Sequence, residues 1–305
     1  MKYQLRHTTH YEYSSPVTLS HNEARLLPRD LDFQQCKNTR LSISPTPLRQ
    51  HERHDFFGNR LVYFAIQDIH DSLEVTVRSL VTTQKRSDPS GDDVHVAWEA
   101  VVDKLAPNGG TSAVPIEPDI LDARLFTLNS PFIHRSEALR VFALDCFSPH
   151  RSLCDSVLAL NQRIYREFSY DPEYSTLATP LDDVLSDRKG VCQDFAHLAI
   201  GALRSVGLAA RYVSGYLETL PPPGQEKRVG ADASHAWLSV FIPNWGWLDI
   251  DPTNGSLPSE QYLTLAWGRD YGDVTPLRGV MNGGGAHELT VEVDVIPLAQ
   301  QSTES

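Results

Sequence analysis

Between Gly190 and Gly207 the chain places Phe195, Leu198, Ala199, Ala202, Leu203 and Val206 at the i, i+3, i+4, i+7, i+8 and i+11 positions of an α-helix. Gly207 stands where a left-handed residue closes such a helix. A stripe this continuous has to be covered by another apolar layer. Three strand-like runs follow and can supply it: Ala210 to Leu220, His235 to Pro243 and Gly246 to Pro252. Helix over antiparallel sheet makes this region α+β.

Upstream, Ser136 to Phe147 and Ser152 to Phe168 repeat the helical spacing, the second through Leu153, Val157, Leu160, Ile164 and Phe168. Thr179 and Pro180 supply a cap and a first-turn proline for a short helix over LDDVLSDRK, which Gly190 is expected to end. The first third reads differently. YQLRHTTHYEY, RLSISP, RLVYFAIQ and SLEVTVRSLVTTQK are rich in β-branched and aromatic residues and are separated by turn clusters such as Phe57-Gly58-Asn59. They predict a β-sandwich-like domain over residues 1–115. Ala106 to Pro118, with its glycines and prolines, has the composition of a linker. The core then occupies 116–285. Gly283 to Gly285 read as a flexible connection, and residues 286–298 as a last strand with Leu289, Val291, Val293 and Val295 on one face, expected to return to the N-terminal domain.

The 305 residues suit about two domains of roughly 150 each. A formal net charge of −12 repels phosphate backbones and anionic lipid, so neither nucleic acid nor membrane is an expected partner, and a basic substrate is favoured. The first residues carry no apolar run of signal-peptide type, which makes the cytoplasm the expected location. Cys36, Cys146, Cys154 and Cys192 form no CxxC pair and are expected as free thiols.

Cys192 opens the buried helix, where unpaired backbone N–H groups and the positive end of the dipole favour a thiolate. Position alone favours a small hydrophobe filling a helix start, because free cysteine is among the most buried residue types. A nucleophilic thiol needs a base, and the base an orienting acceptor. His235 in SHAW and Asp251 in DIDPTN are candidates, with Asp249 a rival on the same strand face as Asp251. A loop of Pro243 to Gly246 would set Ile242 opposite Trp247 and Leu238 opposite Asp251. That register sends Asp251 and His235 to opposite faces. A triad therefore demands a bulge, an offset, or an Asp251 side chain that has left the ladder at Pro252.

The runs RKGVCQDFAHLAIGALRSVGLAARYVSGY, SHAWLSVFIPNWGWLDIDPTNG and GRDYGDVTPLRGV, with the opening YQLRHTTHYEY, resemble the bacterial transglutaminase-like family that carries an N-terminal β-domain. The resemblance implies a papain-like core with Cys192 as nucleophile, His235 as base and Asp251, in preference to Asp249, as the orienting acid. It implies acyl transfer on a peptide or protein amide through a thioester, with hydrolysis (peptidase, amidase or deamidase) favoured over cross-linking. Animal transglutaminases use an upstream tryptophan to hold the oxyanion, but no tryptophan lies between Trp98 and Trp237. The Cys192 backbone N–H remains, with Tyr170 or Gln162 as candidate second donors. A catalytically idle peptide-binding module on the same fold is the competing reading.

No EF-hand loop or HExxH helix is present, and the pairs His7/His10 and His51/His54 lack a zinc-site context, so no metal or other cofactor is expected. Pro221 to Ser234 borders His235 and is placed to gate the cleft.

Overall fold

The computed structural model describes residues 1–87, 89, 95–107, 117–174, 176, 179–219, 232 and 234–298. The chain is an N-terminal β-domain followed by a mixed helix-and-sheet core. The β-domain is organised by one long strand, β1 (Lys2–Ala24). Its first half is flanked by β5 (His70–Thr83) and by the C-terminal β13 (His287–Pro297), which runs antiparallel from Tyr3 opposite Pro297 to Tyr13 opposite His287. Its second half pairs instead with β4 (Arg60–Ile66) and β12 (Leu277–Gly283). β2 (Gln34–Ser44) lies outside β5, and β3 (Arg49–His54) outside β4.

The change of partners falls between Glu12 and Val17, where the register shifts. Gly283, Gly284 and Gly285, expected as a flexible connection, form the turn from β12 to β13, all at positive φ. A Cβ on Gly283 would stand 2.4 Å from the Pro16 carbonyl oxygen. The run of glycine is therefore a steric requirement of packing beside the shift in β1.

In the core, α6 (Cys192–Ser205) packs on the sheet β10-β9-β8-β11, formed by β8 (Ala210–Leu217), β9 (Ser234–Ile242), β10 (Gly246–Ile250) and β11 (Tyr262–Gly268). Phe195, Leu198, Ala199, Ala202 and Leu203 are buried against Ala236, Leu238 and Val240 in one hydrophobic cluster. The outer helices are α3 (Glu137–Leu144) and α4 (Leu153–Glu167), started by Ser136 and Ser152, whose side chains accept from Leu139 N and Asp155 N. A smaller cluster of Tyr3, Leu5, Val81, Tyr216, Leu263, Val293 and Val295 joins the β-domain and β13 to the core sheet.

Several elements escaped the sequence reading, among them the strands β3, β11 and β12 and the short helices α1 (Trp98–Leu105) and α2 (Pro118–Arg124). β11 is buried over most of its length, so it lacks the alternation that marks a half-exposed strand. The short helix α5 (Leu181–Asp187) ends at Arg188 in the left-handed region, φ 56°, two residues before the glycine expected to end it. Of the linker at 106–118, residues 108–116 lie outside the described residues, as does the expected boundary at 115. No helix among the described residues is long and apolar enough to cross a membrane.

Candidate active site

The entry to α6 is built from side-chain and backbone chemistry immediately around Cys192. Val191 is the N-cap residue, extended and without a side-chain cap for the first turn. Asp194 folds back instead, its Oδ2 accepting the Val191 N–H at 2.7 Å. Gly190 makes room for this carboxylate, since a Cβ there would lie 2.8 Å from Asp194 Cβ and Oδ2. Gly190 therefore shapes the nucleophile turn. The first-turn N–H groups of α6 have no side-chain cap, the arrangement that receives anionic oxygen at helix N-termini. Beside them, β6 (Ser169–Tyr170) pairs parallel with β7 (Lys189–Gly190), setting Tyr170 opposite Gly190.

His235 opens β9 opposite Gly215 of β8. A Cβ at Gly215 would lie 2.4 Å from Trp237 Cη2 and 2.1 Å from the Leu263 carbonyl oxygen, so the Trp237 ring fills the space that glycine leaves. The His235 ring lies 6.2 Å from Trp237 and 6.0 Å from Tyr262, and those two rings meet edge to face at 5.4 Å.

The β9–β10 hairpin decides the third position. Its observed register sets Ile242 opposite Gly246 and Leu238 opposite Ile250, one residue away from the expected pairing. The loop is Pro243 to Trp245, with Asn244 at φ 66° and Gly246 at φ 110° entering the ladder itself. A shift of one residue reverses every side chain. Asp251 thus comes to the His235 face with no bulge in the ladder. It then leaves the strand through a turn closed by Asp251 N–H to the Ser256 carbonyl at 2.9 Å.

The His235 Nε2 atom donates to Asp251 Oδ2 at 2.8 Å. The same oxygen accepts from Tyr262 Oη at 2.8 Å and Asn254 Nδ2 at 2.7 Å, while Oδ1 accepts from Thr253 N at 2.9 Å and Asn254 N at 3.4 Å. Burial opposes ionisation of Asp251, but these donors, His235 foremost, hold its carboxyl below the ordinary range. Burial likewise opposes charge on His235. The Asp251 carboxylate and the hydrogen-bonding Cys192 sulfur overcome it, raising the imidazole to about 10. Cys192 is half-buried and lies close enough to the His235 ring to contribute to that rise.

The structure therefore brings Cys192, His235 and Asp251 together. Asp249 is held elsewhere, accepting from Ser239 Oγ and ion-paired with Arg86. Tyr170 is 56% exposed, and after burial the neighbouring Cys192 and Asp194 are what raise its phenol. Gln162, the other candidate oxyanion donor, spends its amide on the Gly255 carbonyl, while Asn161 Nδ2 reaches the Ser256 carbonyl at 3.3 Å. Both brace the turn that carries Asp251.

Tyr262 and Asn254 were missed as partners of Asp251. Asn254 was findable from its place after Asp251 in DPTN, whereas Tyr262 arrives on β11 from across the sheet. The expected gate lies outside the described residues except for Asp232 and Ser234. Asp232 is tied to β13 through Val295 N–H at 2.7 Å. Cys36, Cys146 and Cys154 are free thiols raised by burial, Cys36 to about 12. His7 is buried, hydrogen-bonded to Tyr216 Oη at 3.0 Å and pushed down to about 4 by desolvation, which makes it a core residue. Among the described residues no three His, Cys, Asp or Glu side chains are grouped to hold a metal ion.

Residues 3–82 match the bacterial transglutaminase-like N-terminal region, and residues 143–252 the transglutaminase-like superfamily core. Over 302 residues the chain is 39% identical to the uncharacterized protein Rv2569c of Mycobacterium tuberculosis, spanning 97% of this chain and 93% of that one. The chain belongs to the bacterial transglutaminase-like family. A crystal structure of a "putative cysteine protease" from Cytophaga hutchinsonii shares the fold, with TM-score 0.74 and 22% identity over 99% of this chain and 92% of that one. A protein-glutamine gamma-glutamyltransferase of Pseudomonas aeruginosa is 34% identical over 148 residues, covering 45% of this chain and 22% of that protein. Membership of the transglutaminase-like family carries with it a thiol-dependent acyltransferase or protease kind of function.

Proposed function

We propose that this protein cleaves amide bonds by thiol-dependent acyl transfer, with Cys192 as nucleophile, His235 as acid and base, and Asp251 as the acceptor that orients the ring. The observation that carries the reading is the 2.8 Å bond from His235 Nε2 to a buried carboxylate that further protein donors solvate, with the Cys192 sulfur beside the same ring. The Asp251 carboxylate stabilises the charged ring, so His235 can take up the proton that the sulfur gives up as it attacks. The sulfur attacks the carbonyl carbon of an amide, and the tetrahedral oxyanion is received by the Cys192 N–H and the Tyr170 hydroxyl. The C–N bond breaks as the imidazolium protonates the departing amine, leaving a thioester. His235, now neutral, takes a proton from water as water attacks the thioester, and the acid is released with Cys192 restored.

Water is the favoured acceptor, which makes the protein a peptidase, amidase or deamidase of protein or peptide substrates. The test follows ammonia, new amino termini and amine incorporation separately on a peptide library. Release of ammonia or new termini that disappears in Cys192→Ala supports the reading. Amine incorporation alone replaces hydrolysis with cross-linking, and no Cys192-dependent product from any arm refutes acyl transfer.

A further inference from the structure

Away from Cys192, a cavity of about 370 Å³ opens where the β3–β4 turn, α2 and the core sheet meet. Its walls include Phe57, Phe126, Trp247 and Trp267, and its rim Phe56 and Leu121, which are 82% and 58% exposed. The aromatic walls pack on one another, with Phe126 edge-on to Trp247 at 5.2 Å.

Arg211 of β8 also lines this cavity. Its guanidinium lies between two indoles, 4.3 Å from the Trp247 centroid and 3.8 Å from that of Trp267. Among the described residues, the one hydrogen bond of its polar edge is from Nε, which donates to Ser239 Oγ at 3.3 Å. Among the described residues no carboxylate lies within 4.0 Å of Arg211, although Asp122 stands on the rim. Ser239 donates onward to Asp249, whose charge is already matched by Arg86. A second cation, Arg29, stacks over Trp267 at 3.5 Å. Among the described residues the outer nitrogens of Arg211 thus form a planar donor pair without a carboxylate partner, in a chain of net charge −12.

The cavity is held rigidly. Asn59, fully buried, exchanges hydrogen bonds with the Trp267 backbone, Nδ2 to the carbonyl at 2.8 Å and Trp267 N–H to Oδ1 at 3.0 Å. Arg29 fixes the adjoining turn through the Phe57 carbonyl at 3.1 Å. A ligand would meet preformed aromatic walls with one cation, Arg211, among them, the arrangement by which pockets orient a mostly apolar ligand.

We propose that this cavity binds a carboxylate borne on an apolar or aromatic body, anchored by the outer nitrogens of Arg211. A small free acid and the C-terminus of a peptide ending in a large apolar residue present the same chemistry. The site is independent of Cys192 reactivity, so it stands or falls apart from the proposed reaction.

The test titrates the full chain with 3-phenylpropionate and its amide, and with acetyl-Ala-Ala-Phe carrying a free or amidated C-terminus, reading tryptophan fluorescence and calorimetric heat. The acids are expected to bind at least about tenfold tighter than the amides, because a charge-assisted bidentate contact is lost in the amide. Arg211→Met should bring acid binding down to the amide level, and Leu121→Glu at the rim should weaken the acids selectively. The tighter of the two acids identifies the source, small molecule or peptide end. Equal binding of acid and amide by the unaltered protein, or no binding of either acid up to about 10 mM, overturns the proposal even if Arg211→Met fails to fold.

Discussion

Replacing Asp251 by asparagine removes the negative charge that keeps a proton on His235 while leaving a side chain of the same shape. Raising that imidazole from 6.5 to about 10 corresponds to about 5 kcal/mol in favour of the charged ring. Asp251 and the Cys192 sulfur both contribute to it, against the opposing effect of burial. A hydrogen bond to a charged group is worth about 1.5–3 kcal/mol, so losing the carboxylate should weaken proton retention by the ring about 10- to 160-fold. The assay is the rate of Cys192 alkylation by iodoacetamide near neutral pH, read by peptide mass. Cys36, Cys146 and Cys154, raised by burial, serve as slow internal standards. Asp251→Asn should slow Cys192 by tens-fold and leave the standards unchanged. The amide also faces the Tyr262 and Asn254 donors, so the melting temperature should fall by an amount equivalent to about 1–3 kcal/mol. A folded variant that alkylates Cys192 at the wild-type rate across the whole pH range would refute the coupling of carboxylate, ring and sulfur.

Further outcomes follow from the same geometry. Because the folded His235 value is raised above its unfolded one, its stabilising contribution is complete below about pH 6.5 and is lost as pH rises through about 10. Thermal melts over that window should decline in the wild type and flatten in His235→Gln. Gly215→Ala forces a Cβ to within 2.1 Å of the Leu263 carbonyl and should cost about 3 kcal/mol or more in urea unfolding. Tyr170→Phe should lower amide turnover by about a hundredfold while leaving iodoacetamide alkylation unchanged, since alkylation forms no oxyanion. Equal losses in both assays would assign Tyr170 to the sulfur instead. Tyr262→Phe removes one donor to Asp251 and should slow alkylation about tenfold, checked against its melting temperature.

Much of the nucleophile end was legible because it is local. The helical period fixes the α6 stripe, and Cys192 stands at its first turn whatever the stripe packs against. Ser136 and Ser152 mark their helices for the same reason, each cap acting within its own turn. Gly190 shows where locality misleads. Its sequence position suggests a helix stop, whereas its lack of a Cβ serves the Asp194 carboxylate one turn ahead.

The sequence by itself settled the composition of the core, the stripe that must be buried and the side chains able to carry thiol chemistry. Whether His235 and Asp251 could meet was decided by tertiary structure, through a hairpin register one residue from the expected one. The physical reason is that strand alternation has period two, so the choice of left-handed residues in a single loop transfers a whole strand face. Tyr262 reaching Asp251, Gln162 bracing Gly255 and Arg211 lodged between two indoles depend likewise on elements distant in sequence. Their energies come from close packing and hydrogen-bond geometry in three dimensions, which no spacing along the chain encodes.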